Sequence, residues 1–505
     1  MGAPARTDRA AGMSTAVLLL GAALAAAEAS IVVMPPDGPE EAGWIGLAVA
    51  ELMPRALQRV GVPAVERADR LRMQEELGVP VASATRATAI RLAETLGAER
   101  LVVGVFALEG DRLSLSLRLV DVRQASLSAP LAASGAVEEL GRLVHSLAWD
   151  VALAGSRPPL GTRAALVGAG EAIPFLALRD HARALALTEP ADRLTALRRV
   201  TAAYPRYLEA CLALARQLLD AREYAEARRV IAAVPAASPF ARAARFLDGV
   251  ALVGLGLDRE AAQLYAALVD EEPSATALAN GALARLRLPR ASPSPSSLLR
   301  RAVEMEPAAP DLAFNLGWAL LLEGDAEAAA FWLRGVLSRD PRDHQTRLLL
   351  SWALRGAGRA EEAEREWEQL AAGGAVDPSL RTPDLKLRFE RVQLSERAFV
   401  VDAEGRSDAE MAATYAARGE RRLQSGEMEE AMAELARAAL LDPYSARAHV
   451  LLARAHLARG EREKAAAELR MALWCREDPQ VRAQFVELMG ELGRAEAAAG
   501  PPGPP

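Results

Sequence analysis

Residues 311–341 read DLAFNLGWALLLEGDAEAAAFWLRGVLSRDP, and this stretch decides the fold. Leu316 and Gly317 fall where two helices have to approach closely, Gly324 and Asp325 make a turn, and Ala329 and Leu333 pack a second helix that Pro341 ends. Proline stops a helix because it has no N–H to donate and its ring disfavours a helical residue before it. Pro205, Pro239, Pro273, Pro307 and Pro341 are evenly spaced, so one unit recurs along the chain. Gly249, Gly256, Ala261 and Tyr265 take matching places before Pro273. Tyr415, Gly419, Gly426, Ala431, Leu435 and Ala438 do so before Pro443, and Leu452, Gly460, Ala465, Leu469 and Ala472 after it. Small residues are needed at these places because larger ones force paired helices apart.

A helical hairpin recurring at an interval of about 34 residues resembles the tetratricopeptide repeat. The resemblance covers about 174–495 and implies an all-α superhelix of stacked α-α hairpins, with a continuous core and a concave surface suited to a protein or peptide. Two repeats are degraded: residues 174–207 lack the glycine, and the repeat ending at Pro307 carries Pro-Arg-Ala-Ser-Pro-Ser-Pro-Ser-Ser in its turn. The spacing predicts about six repeats over 174–375. Residues 376–408, with Pro378 and Pro383, break the period and read as a linker or a divergent repeat. Two repeats and a capping helix follow over 409–495, and the Gly/Pro-rich tail 496–505 is expected to be disordered.

Upstream the pattern changes from helical to α/β. Ser30 to Met34 is a short β-branched run stopped by Pro35 and Pro36, and Ile45, Ala48, Val49, Leu52, Leu57 and Val60 then recur at helical spacing. Val62 to Val65 suits a second strand, and helices are expected at about 68–78 and 83–97. Leu101 to Phe106, a turn at Glu109-Gly110-Asp111, and Leu113, Leu115, Leu117 and Leu119 alternating with polar residues read as a hairpin with one face buried. A strand near 125–134 and a helix over about 137–154 close the unit.

The order Val33-Met34-Pro35, Trp44-Ile45-Gly46, Leu96-Gly97-Ala98, Leu101 to Gly104, Glu109-Gly110-Asp111 and Leu119-Val120-Asp121 resembles the N-terminal domain of TolB. Pro36 departs from the pattern, since an aromatic residue commonly follows the first proline. The resemblance implies a non-enzymatic assembly module over 30–154, and no β-propeller signature follows. The expected whole is therefore multidomain: a small TolB-like α/β domain, a linker over 155–173, and the all-α tetratricopeptide superhelix.

Residues 1–29 have the layout of a secretory signal peptide: Arg6 and Arg9, an apolar run from about Ser14 to Leu24, and Ala27-Glu28-Ala29 as a cleavage site. The run is shorter than the ~20 apolar residues that cross a bilayer. Asp8 dilutes the basic region and Met13 is a second candidate start. No cysteine follows to accept a lipid, and no later stretch has the length and apolarity to span. Export, to the periplasm in a diderm bacterium, is the expectation.

Composition bounds the class. The chain has 505 residues, 51% hydrophobic and 25% charged, which argues for a folded protein of two or more domains. Alanine exceeds a fifth of the chain and aromatics are 4%, a bias toward helices packed through small side chains. The formal charge of −7 falls on no single segment, and Lys386 and Lys464 are the only lysines, so no nucleic-acid footprint is present. Cys211 and Cys475 are too far apart in sequence to suggest a disulfide framework.

Enzyme chemistry finds no foothold. The histidines His145, His181, His344, His449 and His456 make no H-E-x-x-H helix, and no phosphate loop is present. His449 and His456, on one helix, could join Cys475 on a metal, but zinc needs a third or fourth ligand that is not evident, so helix packing is the simpler reading. Glu361-Glu362 and Glu429-Glu430 open second helices, where the helix dipole favours negative charge. No catalytic, cofactor or metal residue is assigned. The constellation that points to binding is Trp318 and Trp352, one repeat period apart on neighbouring first helices, with Phe314, Leu321 and Leu348 nearby. Aromatic side chains there can anchor an apolar or extended peptide, because they bury much area for little lost entropy; the competing reading is packing between helices. The expected function is a non-enzymatic exported scaffold in bacterial envelope assembly or transport, with a protein or peptide as partner. The alternative is a cytoplasmic regulatory protein of TolB-like and tetratricopeptide domains.

Overall fold

The computed structural model describes residues 30–499 apart from 77–85, 97, 123, 125, 156–157, 290–291, 308 and 373–402. The signal-like segment, most of the stretch 376–408 and residues 500–505 of the tail lie outside the described residues. The chain divides into two compact units between Thr188 and Glu189.

The first unit is built on a mixed sheet. Strand β1 (Ile31–Val33) runs parallel to β2 (Arg100–Glu109), which pairs antiparallel with β3 (Arg112–Asp121) through a turn at Gly110, φ +62°. Strands β4 (Ser126–Leu127) and β5 (Leu131–Ala136) both pair with β3. Val62 to Val65 forms an isolated bridge to Ile31 rather than a strand, because Pro63 has no N–H with which to extend the ladder. Helices α1 (Trp44–Arg59), α2 (Arg67–Glu76) and α3 (Arg86–Thr95) precede the hairpin, and α4 (Leu140–Ala154) follows it. Ile31, Val33, Val102, Leu113, Leu115 and Leu117 of the sheet share one core with Ile45, Val49 and Leu52 of α1 and Leu143, Val144 and Leu147 of α4. The alternation of leucine and serine in β3 thus divides a buried face from an open one.

Where a linker is expected, over 155–173, the chain forms α5 (Arg163–Glu171), capped by the Thr162 side chain accepting from the Ala165 N–H at 3.2 Å. A Cβ at Gly141 of α4 would strike the carbonyl oxygen of Gly170 of α5, and the reverse also holds, so the two helices meet backbone to backbone. Next, α6 (Phe175–Ala186) lays Leu178 and Ala182 into the sheet unit's core, and Phe175 meets Trp44 of α1 edge to face at 6.1 Å. The first helix of the expected repeat 174–207 therefore belongs to the first unit, while its second, α7 (Pro190–Ala203), belongs to the second.

The second unit is helical throughout its described residues. Five hairpins follow α7: α8 (Leu208–Asp220) with α9 (Tyr224–Ile231), α10 (Ala241–Gly254) with α11 (Asp258–Glu271), α12 (Ala275–Leu286) with α13 (Pro295–Met305), α14 (Pro310–Glu323) with α15 (Ala326–Arg339), and α16 (His344–Gly356) with α17 (Ala360–Ala372). Two more are α18 (Ala403–Ser425) with α19 (Met428–Leu441) and α20 (Ala446–Ala458) with α21 (Arg462–Cys475). Helix α22 (Pro479–Ala499) packs Val481, Phe485 and Leu488 against that last pair and runs on through 496–499 of the expected tail. Pro239, Pro273, Pro307, Pro341 and Pro443 all stand between one hairpin and the next.

Within hairpins, Gly256, Gly324, Gly358, Gly426 and Gly460 have φ from +73° to +91°, the left-handed turn that a Cβ disfavours. The first helix approaches the second at another glycine: a Cβ on Gly317 would lie 2.8 Å from Leu333, and one on Gly419 would lie 2.6 Å from Leu435.

The C-terminal hairpins also fold back on the earlier array. Phe331 of α15 meets Tyr444 at 5.8 Å, His449 at 5.9 Å and Trp474 at 5.5 Å, and Trp332 stacks on Tyr444 at 4.1 Å. The Tyr444 hydroxyl donates to the Trp332 carbonyl, and Arg300 of α13 donates to the Leu473 carbonyl at 3.2 Å. These partners are second helices, α13 and α15, so the contact leaves the first-helix side of the array aside.

Candidate partner-binding face

The first helices α14 and α16 carry the sequence-derived site, and local chemistry fixes both. Pro310 opens α14, where its missing N–H costs nothing. Asp343 caps α16, accepting from the Thr346 N–H at 3.1 Å and the Thr346 hydroxyl at 2.6 Å. Helix α14 closes at Gly324 in the left-handed conformation and lies beside α16.

This framework separates the five residues into two kinds. Phe314 is 1% exposed and Leu348 4%, so both fill the core. Trp318, Leu321 and Trp352 are half-buried, each keeping surface that a partner could cover. Phe314 and Leu348 stand one turn before Trp318 and Trp352, so the same pairing of a covered and a partly open side chain recurs in both helices. Leu322, 56% exposed, extends the apolar surface of α14.

One polar residue escaped the sequence reading. Asn315 is buried in α14, and its side-chain oxygen has no hydrogen-bond partner among the described residues. An unsatisfied buried acceptor is costly, so this amide weakens the core that α14 builds. Its signal was a single amide within the apolar run LAFNLGWALLL.

The histidines considered for a metal are engaged elsewhere. His449 Nδ1 lies 2.7 Å from Glu468 and its Nε2 2.9 Å from the Pro443 carbonyl, while His456 Nδ1 lies 2.7 Å from Glu461. Cys475 is buried, and that burial pushes its thiol well above the ordinary range, away from the thiolate a metal needs. Among the described residues no three His, Cys, Asp or Glu side chains are grouped as metal ligands. No helix among them is long and apolar enough to cross a membrane.

Family models described as tetratricopeptide repeat match residues 212–276, 276–344 and 422–484. No curated protein matches the chain. Among solved structures, the chain is similar to a tetratricopeptide repeat protein from Parabacteroides merdae at 17% identity, over 55% of this chain and 97% of that one, with a TM-score of 0.31. It is similar to the human IFIT1 dimer with PPP-AAAA at 14% identity, over 68% and 85%, with a TM-score of 0.32. A third is the C-terminal domain of LpoB from Salmonella enterica, at 15% identity over 24% and 91%, with a TM-score of 0.18. The matched residues are tetratricopeptide repeats, a repeat that suggests a protein-protein interaction scaffold. The N-terminal region is a small α/β unit.

Proposed function

We propose that this chain is a non-enzymatic, exported scaffold that holds an apolar or extended peptide segment of a protein partner on the first-helix face of its repeats. The observation that carries the reading is the pair Trp318 and Trp352. Both keep exposed surface at equivalent positions of adjacent first helices, whereas the aromatic residues Phe331 and Trp332 of a second helix are covered by the chain's own C-terminal hairpins. Leu321 widens the anchor.

A role in bacterial envelope assembly or transport rests on the signal-like residues 1–29 and on the TolB-like order of motifs in 31–154. The sequence of a parallel β1–β2 pair followed by the β2–β3 hairpin supports that order. Mass spectrometry of the mature N-terminus tests export: a chain beginning near Ser30 is expected, and an intact Met1 in the cytosol contradicts it.

Binding is tested by photo-crosslinking in intact cells, with the crosslinker in place of Leu321. A discrete adduct is expected there and not from Leu440, exposed on α19. Aromatic anchors buried on binding contribute about 2 kcal/mol each, so Trp318→Ala with Trp352→Ala should weaken binding of the identified partner by roughly a thousandfold. Unchanged affinity in a folded double variant removes the proposal.

A further inference from the structure

A cleft of about 570 Å³ opens in the second unit where the C-terminal hairpins fold back. Arg301 and Met305 of α13, Trp332 of α15, Tyr444, Arg447 of α20 and Arg476 after α21 line it. Its volume lies within the range of ligand sites. Three guanidinium groups face one lining carboxylate, Glu304, in a chain whose formal charge is −7. Arg447 is paired with Glu420 at 2.5 Å. Arg301 and Arg476 are exposed, and among the described residues their side chains have no hydrogen-bond or ionic partner.

A second, independent feature points to a missing acceptor. Trp332 is 1% exposed, and its indole N–H has no hydrogen-bond partner among the described residues. A buried donor left unmatched is unfavourable until something supplies an oxygen. The remaining wall is apolar, and Met305 is 45% exposed.

We propose that this cleft binds an acidic peptide segment of a partner protein, with carboxylates on Arg301 and Arg476, an apolar side chain on Met305 and an oxygen accepting from Trp332 Nε1. The site is separate from the first-helix face, because its array-side walls are the second helices α13 and α15. A polyphosphate or nucleic acid fits less well: Glu304 stands in the lining, and the net negative charge of the chain opposes a highly charged polyanion.

The test is fluorescence polarisation with the full chain and the peptide Asp-Leu-Asp-Glu-Leu-Asp labelled with fluorescein. Saturable binding that weakens with added salt is expected. Arg301→Glu with Arg476→Glu should reduce affinity by about tenfold, and Trp318→Ala with Trp352→Ala should leave it unchanged, which separates this site from the groove. If the double reversal does not fold, Arg301→Gln and Arg476→Gln singly should each cost about threefold. The proposal is overturned by an absence of saturable binding, by equal affinity in folded arginine variants, by loss of affinity in the tryptophan variant, or by equal binding of Asn-Leu-Asn-Gln-Leu-Asn. Displacement of the peptide by inorganic phosphate or a single-stranded oligonucleotide at lower concentration than the unlabelled peptide also overturns it.

Discussion

Arg222 has φ +60°, the only positive φ at a non-glycine position among the described residues. It stands one repeat period before Gly256 and occupies the same hairpin turn, between α8 and α9. The left-handed region costs an L-residue about 1–2 kcal/mol, while glycine's extra freedom in the unfolded chain gives back about 0.5–1 kcal/mol. Arg222→Gly should therefore stabilise the protein by about 0.5–1 kcal/mol, read as a higher urea midpoint with an unchanged slope. A lower midpoint would mean that the arginine side chain contributes more than its backbone costs. This position was legible in the period, since counting back from Gly256 lands on it. The same count explains why the turns at Gly358 and Gly426 stand two periods apart: the interval leaves the length of one further repeat.

At the scale of elements, the glycines Gly141 and Gly170 hold α4 and α5 at backbone contact. Gly170→Ala puts a methyl group against the Gly141 carbonyl and should destabilise the first unit by about 1–3 kcal/mol. Hydrogen exchange in α4 and α5 measures it, and unchanged protection there would refute the close approach. Helix α5 was illegible as part of a core because its residues, RAALVGAGE, mix glycine and alanine with few large apolar groups. Its packing depends on a partner surface in the preceding helix rather than on its own pattern. The repeat hairpins show the opposite case. Their proline junctions, turn glycines and small contact residues are all local, so the period exposed them. Of the candidate face, spacing picked out Trp318 and Trp352, which keep some surface, but spacing does not tell how far neighbouring helices cover each turn, and Phe314 and Leu348 on the same helices are buried. The cluster of Phe331, Trp332, Tyr444 and Trp474 left no sequence signal, since its members come from hairpins remote from one another along the chain.

At the scale of the molecule, the first unit carries a built-in acid sensitivity. Burial lowers His145 and His181 from 6.5 to about 4, the cost falling on the charged ring in both; the hydrogen bond from His145 to the Gly141 carbonyl and the charge of Glu51 near His181 oppose it only in part. Between pH 6.5 and 4 the unfolded chain takes up protons that the folded one refuses, so stability is full above about 6.5 and declines as pH falls toward 4. Hydrogen exchange of the full chain should show opening of α4 and α6 rising as the pH is lowered through this window, after correction for the intrinsic rate, and a flat profile would contradict the buried neutral rings. In the second unit, the aromatic contact behind α15 works as a splint. A repeat array is ordinarily a spring whose curvature adjusts to its cargo, but the hairpin braced at Phe331 and Trp332 is the one that presents Trp318. If Trp318 takes a guest as proposed, that guest would meet a stiff wall, with little motion to freeze out on docking, and the bending that fits the coil to its contour would fall to hairpins outside the brace.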